Sequence, residues 1–135
     1  MRKDGLMKIV LVSNNPMVRD KYLGKIDLCF VEGSYRDVLY TTRDKCHLGH
    51  RLLSHPLSGS IKPNETPYKS IMIAKEADRA DRQSIELMEK AIFTAEKFGP
   101  IRRNWREQEL QDFQLVDLTL IDSAIESAKE DLGNY

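Results

Sequence analysis

Met7-Lys8-Ile9-Val10-Leu11-Val12-Ser13-Asn14-Asn15-Pro16 is the stretch that decides the fold. An aliphatic, largely β-branched run with no polar alternation is what a strand covered on both faces requires. The run, Met7 to Val12, stops at Ser13-Asn14-Asn15-Pro16. There Asn15 suits the capping position of a helix and Pro16 its first turn. A short helix through Tyr22 is expected, closed by Gly24, and Ile26 to Val31 gives a second apolar run. Strand, helix and strand in this order open an α/β architecture.

The same reading extends to both sides. Ser34, with Asp37 three residues on, resembles a capping box. Tyr35, Val38, Leu39, Thr42 and Cys46 then fall on one helical stripe, and Gly49 suits the left-handed position after its end. Arg51–Ser54 and Ser70–Ala74 read as third and fourth strands. Ile85, Met88, Ile92 and Ala95 mark a helix that Gly99-Pro100 stops. Leu118, Ile121, Ile125, Ala128 and Leu132 mark another, with Asp117 as its expected cap and a separate short helix over Glu107–Phe113 before it. The expected fold is an open three-layer α/β sheet of about four strands flanked by helices, the first three parallel, in the order 2-1-3-4. The fourth strand, reached without a helix, is free to run antiparallel. Residues 1–135 read as one domain.

Composition excludes several classes. Lys plus Arg number 21, as do Asp plus Glu, so the formal charge is zero and a nucleic-acid partner is not expected. Arg102, Arg103 and Arg106 around Trp105 form the one basic cluster, and Glu107, Glu109 and Asp112 follow directly, as in a solvated stretch. No apolar run approaches the ~18 residues of a membrane span, and the N-terminus lacks the form of an export signal. Two cysteines, Cys29 and Cys46, suit a reducing compartment, so the expected location is cytoplasmic.

Ligands on open α/β sheets sit beyond the carboxyl ends of strands, where the strand order reverses. The expected order brings two loops there, Ser13–Pro16 and the stretch His55-Pro56-Leu57-Ser58-Gly59-Ser60-Ile61-Lys62-Pro63-Asn64-Glu65-Thr66-Pro67-Tyr68-Lys69. The second is far longer than the usual connection of about 4–6 residues, and long loops often carry function. Its three prolines stiffen it, and an ordered lid is expected, with His55 within side-chain reach of Asn14 or Asn15. Ser58-Gly59-Ser60 with Lys62 has the backbone N–H groups, hydroxyls and point charge that wrap an anion. The candidate ligand-binding residues are therefore Asn14, Asn15, Glu32, Ser34, His55, Ser58, Gly59, Ser60, Lys62, Asn64, Glu65, Thr66 and Lys69. The bland alternative is a loop whose Pro and Asn make turns and whose lysines are solvated.

Other chemistries fit less well. Cys46, His47, His50 and His55 do not have the spacing of a zinc site, and Cys46 lies on an apolar stripe. Cys29 sits within a strand and reads as core. A dinucleotide site lacks its glycine-rich turn after the first strand, where Asn14 and Asn15 stand instead. Neither metal nor cofactor is expected.

Asn14-Asn15-Pro16, Glu32-Gly33-Ser34-Tyr35, Gly49-His50-Arg51-Leu52-Leu53, His55 to Ser60 and Lys62 to Ser70 together resemble the GrdX family, with Glu96-Lys97-Phe98 and Asp112-Phe113-Gln114-Leu115 adding to the likeness. These are small proteins encoded beside the glycine, sarcosine and betaine reductases of amino-acid-fermenting anaerobes. The resemblance spans most of the chain. It implies an accessory link to that reductase system and carries no catalytic assignment. Two readings follow. The first is an accessory protein that binds a small anionic ligand or a reductase component through the His55–Lys69 loop. The second is a small enzyme acting on a carboxylate or phosphate substrate, with His55 as acid/base and Lys62, Lys69 and the Ser58–Ser60 amides stabilising charge.

Overall fold

Four strands and four helices follow one another as β1 (Ile9–Ser13), α1 (Pro16–Tyr22), β2 (Asp27–Phe30), α2 (Tyr35–His47), β3 (His50–Leu52), β4 (Ser70–Ala77), α3 (Arg82–Lys97) and α4 (Glu107–Leu132). They come from a computed structural model that describes residues 8–57, 62–100 and 102–132, with side chains of α4 described up to residue 129.

The sheet has the order β2-β1-β4-β3. β1 pairs with β2 in parallel, Val10 opposite Asp27, and with β4 antiparallel, Leu11 opposite Met72. β3 pairs antiparallel with β4. The expected order 2-1-3-4 with three parallel strands is thus corrected: the sheet is mixed, and β4 takes the place beside β1 that β3 was expected to hold. Strand polarity explains the exchange. Ser70, Ile71, Met72 and Ile73 of β4 are all buried, so this strand needs cover on both edges and both faces. His50-Arg51-Leu52 is three residues long and partly exposed, which suits an edge.

Alternation along β1 and β4 divides the core between two helical layers. Val12, Ile71 and Ile73 pack with Tyr35, Val38 and Leu39 of α2 and Met88 and Ile92 of α3. Ile9, Leu11 and Met72 pack on the opposite face with Val18 and Tyr22 of α1 and Ile121 and Ile125 of α4. The three-layer arrangement is as the sequence implies.

Local signals act where they stand. Asn15 caps α1, its Oδ1 accepting from the Met17 N–H at 3.0 Å. Ser34 and Asp37 form the capping box of α2 in both directions. Gly49 has φ +108°, which a side chain resists. One local expectation fails. Glu107–Leu132 is a single helix of 26 residues, and Asp117 lies inside it rather than at a cap. No Gly or Pro interrupts this span, and the carboxylate finds partners across the fold instead of on its own helix. Among the described residues, no helix is long and apolar enough to cross a membrane.

Candidate functional site

β1 ends and β4 begins side by side, because the two strands are antiparallel neighbours with Ser13 opposite Ser70. Polar residues crowd this seam. Ser13, Asn14, Asn15, Lys69, Ser70 and Asp117 are all buried, and Asp117 is only 6% exposed. Buried polar groups persist only where they find partners, and these form one network. Asp117 Oδ1 accepts from the Ser70 backbone N–H at 3.0 Å. Its Oδ2 accepts from the Ser70 hydroxyl at 2.7 Å and from Asn15 Nδ2 at 2.9 Å. The Ser13 and Ser70 hydroxyls lie 2.7 Å apart. Asn15 Nδ2 also donates to the Gln114 carbonyl at 2.8 Å, so α1, α4 and both strands are tied at one point.

Asn14 is the second knot. Its Nδ2 donates to the Gly33 carbonyl at 3.0 Å and the Pro67 carbonyl at 2.8 Å, while its Oδ1 accepts from the Lys69 backbone N–H at 2.9 Å. One amide side chain therefore joins β1 to the turn before α2 and to the end of the long loop. Gln114 Nε2 adds a donor to the Tyr68 hydroxyl at 2.8 Å.

Beside this network lies a cavity of about 190 Å³, with Ser54, His55, Lys69, Ser70 and Asp117 on its walls. Leu120, Ile121 and Ala124 of α4 contribute the apolar side. Lys69 is buried to 6% exposure. Burial pushes its ammonium below the ordinary lysine value, and the negative charge of Asp117 works against that shift. Burial, and after it the charge of Asp117, holds the Tyr35 hydroxyl far above its ordinary range.

A model of the GrdX-like protein family matches residues 10–126. The chain belongs to the GrdX-like family. Comparison with curated proteins finds no match, and neither does comparison with solved structures. The family match covers every element of the GrdX-like chain from β1 into α4, including the Asn14, Lys69 and Asp117 network.

The structure splits the residues singled out in the sequence into groups. Asn14, Asn15 and Lys69 meet at the seam. His55 lines the same cavity but is exposed. Its Nδ1 lies 2.8 Å from the Leu57 carbonyl and 3.2 Å from the Leu57 backbone N, and no hydrogen bond joins it to Asn14 or Asn15. Thr66 is buried and braces the Tyr68 backbone, with the Tyr68 N–H 3.3 Å from its hydroxyl. Lys62, Asn64 and Glu65 lie elsewhere. Lys62 Nζ sits 6.0 Å from the centre of the Phe98 ring, and Asn64 Nδ2 donates to the Phe98 carbonyl at 3.2 Å. Asn64 and Glu65 line a separate groove with Arg102 and Trp105. Glu32 is exposed, and Ser34 serves as a helix cap. Ser58, Gly59 and Ser60 lie outside the described residues, so the expected anion wrap does as well.

Sequence reasoning missed Asp117, Ser70, Ser13 and Ser54. A signal for the first was present: Asp117, Ile121 and Ile125 stand four apart, which sets a carboxylate on the buried stripe of α4.

Proposed function

We propose that this protein is a cytosolic accessory of the glycine, sarcosine and betaine reductase systems and that it holds a small anionic ligand in the cavity at Lys69. Family membership supports the first part. The observation that carries the second is a buried lysine on the wall of a small cavity, with its backbone fixed by Asn14. A desolvated cation is worth more to an anion than a solvated one, because the local dielectric is low. The cavity, about 190 Å³, falls below the ~300–1,000 Å³ of sites for drug-sized molecules, which restricts the ligand to a few heavy atoms. Asp117 on the same wall disfavours a dianion and leaves a monovalent carboxylate as the better fit.

Melting temperature tests this reading. Acetate should raise it relative to chloride at equal ionic strength. At ten times the dissociation constant the gain is about 1.4 kcal/mol, a shift of roughly 4 °C for a chain of this size. Lys69→Met, which keeps the stem and removes the charge, should abolish the difference. Equal responses of the two proteins would reduce the effect to general salt action.

The enzyme reading keeps one supporting observation, that His55 lines the same cavity. Its mark would be a reaction lost in His55→Ala with acetate binding unchanged.

A further inference from the structure

The pairing of an amine with a carboxylate on one cavity wall calls for more than simple anion binding. Lys69 and Asp117 both line the cavity, and Asp117 is fixed by Ser70 and Asn15. A site built only to attract negative charge gains nothing from a carboxylate beside its cation. The arrangement makes sense if the bound state carries a positive charge on Lys69 that Asp117 balances, while the ligand's own negative charge is met elsewhere. Ser54 is available for that role: its hydroxyl oxygen accepts from the Met72 N–H at 2.8 Å, and its proton is then directed to another acceptor. His55 stands on the same wall.

We propose that Lys69 is a carbonyl-capturing amine and that the ligand is a small 2-oxo acid, held in the cavity as an imine. This rests on the proposed anion site and names its ligand class. In the first step the Lys69 Nζ lone pair forms a bond to the carbonyl carbon, the C=O π bond breaks, and the oxygen takes up a proton. In the second the C–O bond breaks, nitrogen shares its lone pair with carbon, and the oxygen leaves as water. Of that water's two hydrogens, one comes from the amine and the other is the proton taken up in the first step. Nitrogen keeps its second hydrogen, so the product is the protonated imine, and nothing is oxidised or reduced. The His55 imidazole is the cavity group suited to accept and return the proton between the steps. Asp117 balances the iminium, and the Ser54 hydroxyl donates to the ligand's carboxylate. Burial of Lys69 favours the amine form that attacks.

Reductive trapping tests the proposal on the full chain. The protein is incubated with pyruvate and cyanoborohydride at neutral pH, and adducts are located by peptide mass. Lys69 should be modified about tenfold faster than Lys62, as expected of a desolvated lysine nucleophile. Acetate should protect Lys69 and leave Lys62 unprotected, and Lys69→Arg should lose the fast adduct. The acetate arm uses wild-type protein, so the test survives if the variant fails to fold. Uniform labelling of lysines, or no adduct at Lys69, overturns the proposal. Equal labelling of Lys69 by acetaldehyde and pyruvate overturns the assignment to a 2-oxo acid. If acetate still stabilises the protein in either case, the anion site stands and only the imine falls.

Discussion

Asp117→Asn separates two accounts of one residue. As a helix cap, which the sequence suggests, Asp117 would be replaced by Asn at almost no cost, since the two cap equally well. The structure gives it three donors instead: Ser70 N–H at 3.0 Å, Ser70 hydroxyl at 2.7 Å and Asn15 Nδ2 at 2.9 Å. Asn keeps the shape but turns one acceptor oxygen into an NH₂ donor. Whichever way the amide is rotated, a buried N–H meets another donor. One buried donor without a partner costs about 1–3 kcal/mol, and conversion of charge-assisted bonds to neutral ones roughly halves those that remain. The Ser70 hydroxyl can turn to Ser13, which recovers part of the loss. The expected cost is roughly 2–4 kcal/mol, or on the order of 10 °C in melting temperature. Urea unfolding measures it as a lower midpoint with an unchanged slope. A loss below about 0.5 kcal/mol, the usual range for a surface change, would refute the network.

Gly49 is expected to refuse any side chain, because a Cβ there would lie 1.9 Å from the Asp78 carbonyl oxygen. Gly49→Ala should cost about 3 kcal/mol or more, whereas Gly24→Ala, with φ +79° but nothing within 4 Å, should cost only about 1–2 kcal/mol; equal costs would contradict the close approach. Cys46 gives a pH prediction. Burial, and after it the charge of Asp81, pushes its thiol up to about 11. A raised folded value means that the unfolded chain loses its proton first. The associated stability is complete below the ordinary thiol range and fades as pH rises to about 11. The difference between wild type and Cys46→Ala should shrink by roughly 2–3 kcal/mol across that window, and a difference independent of pH would count against it.

Much of the architecture was legible because local chemistry and burial agreed. The run from Ile9 to Val12, the Asn15 and Ser34 caps and the stripe from Tyr35 to Cys46 each have one satisfactory structural answer. Strand order was not legible. It depends on which strand needs two neighbours, and that is a competition between Ser70–Ile73 and His50–Leu52 that no single segment records. The site was half visible. Asn14, Asn15, His55 and Lys69 stood out as polar residues at strand ends. Asp117 did not, because an acidic residue before an apolar stripe reads equally as a cap. Only the packing of α4 on β1 and β4 shows that it faces inward. Lys62, expected to share a site with Ser58–Ser60, lies against Phe98 at the end of α3, and Ser58–Ser60 lie outside the described residues.

Titration of ¹⁵N-labelled protein with acetate, followed through backbone amide resonances, puts the anion site at Lys69 to its most direct test. In wild type the Lys69 and Ser70 amides should shift together along one saturating curve, and Lys62→Ala should behave the same way because Lys62 lies outside the cavity. In Lys69→Met those shifts should vanish. Saturable shifts that persist in Lys69→Met, or that disappear in Lys62→Ala, would contradict the account.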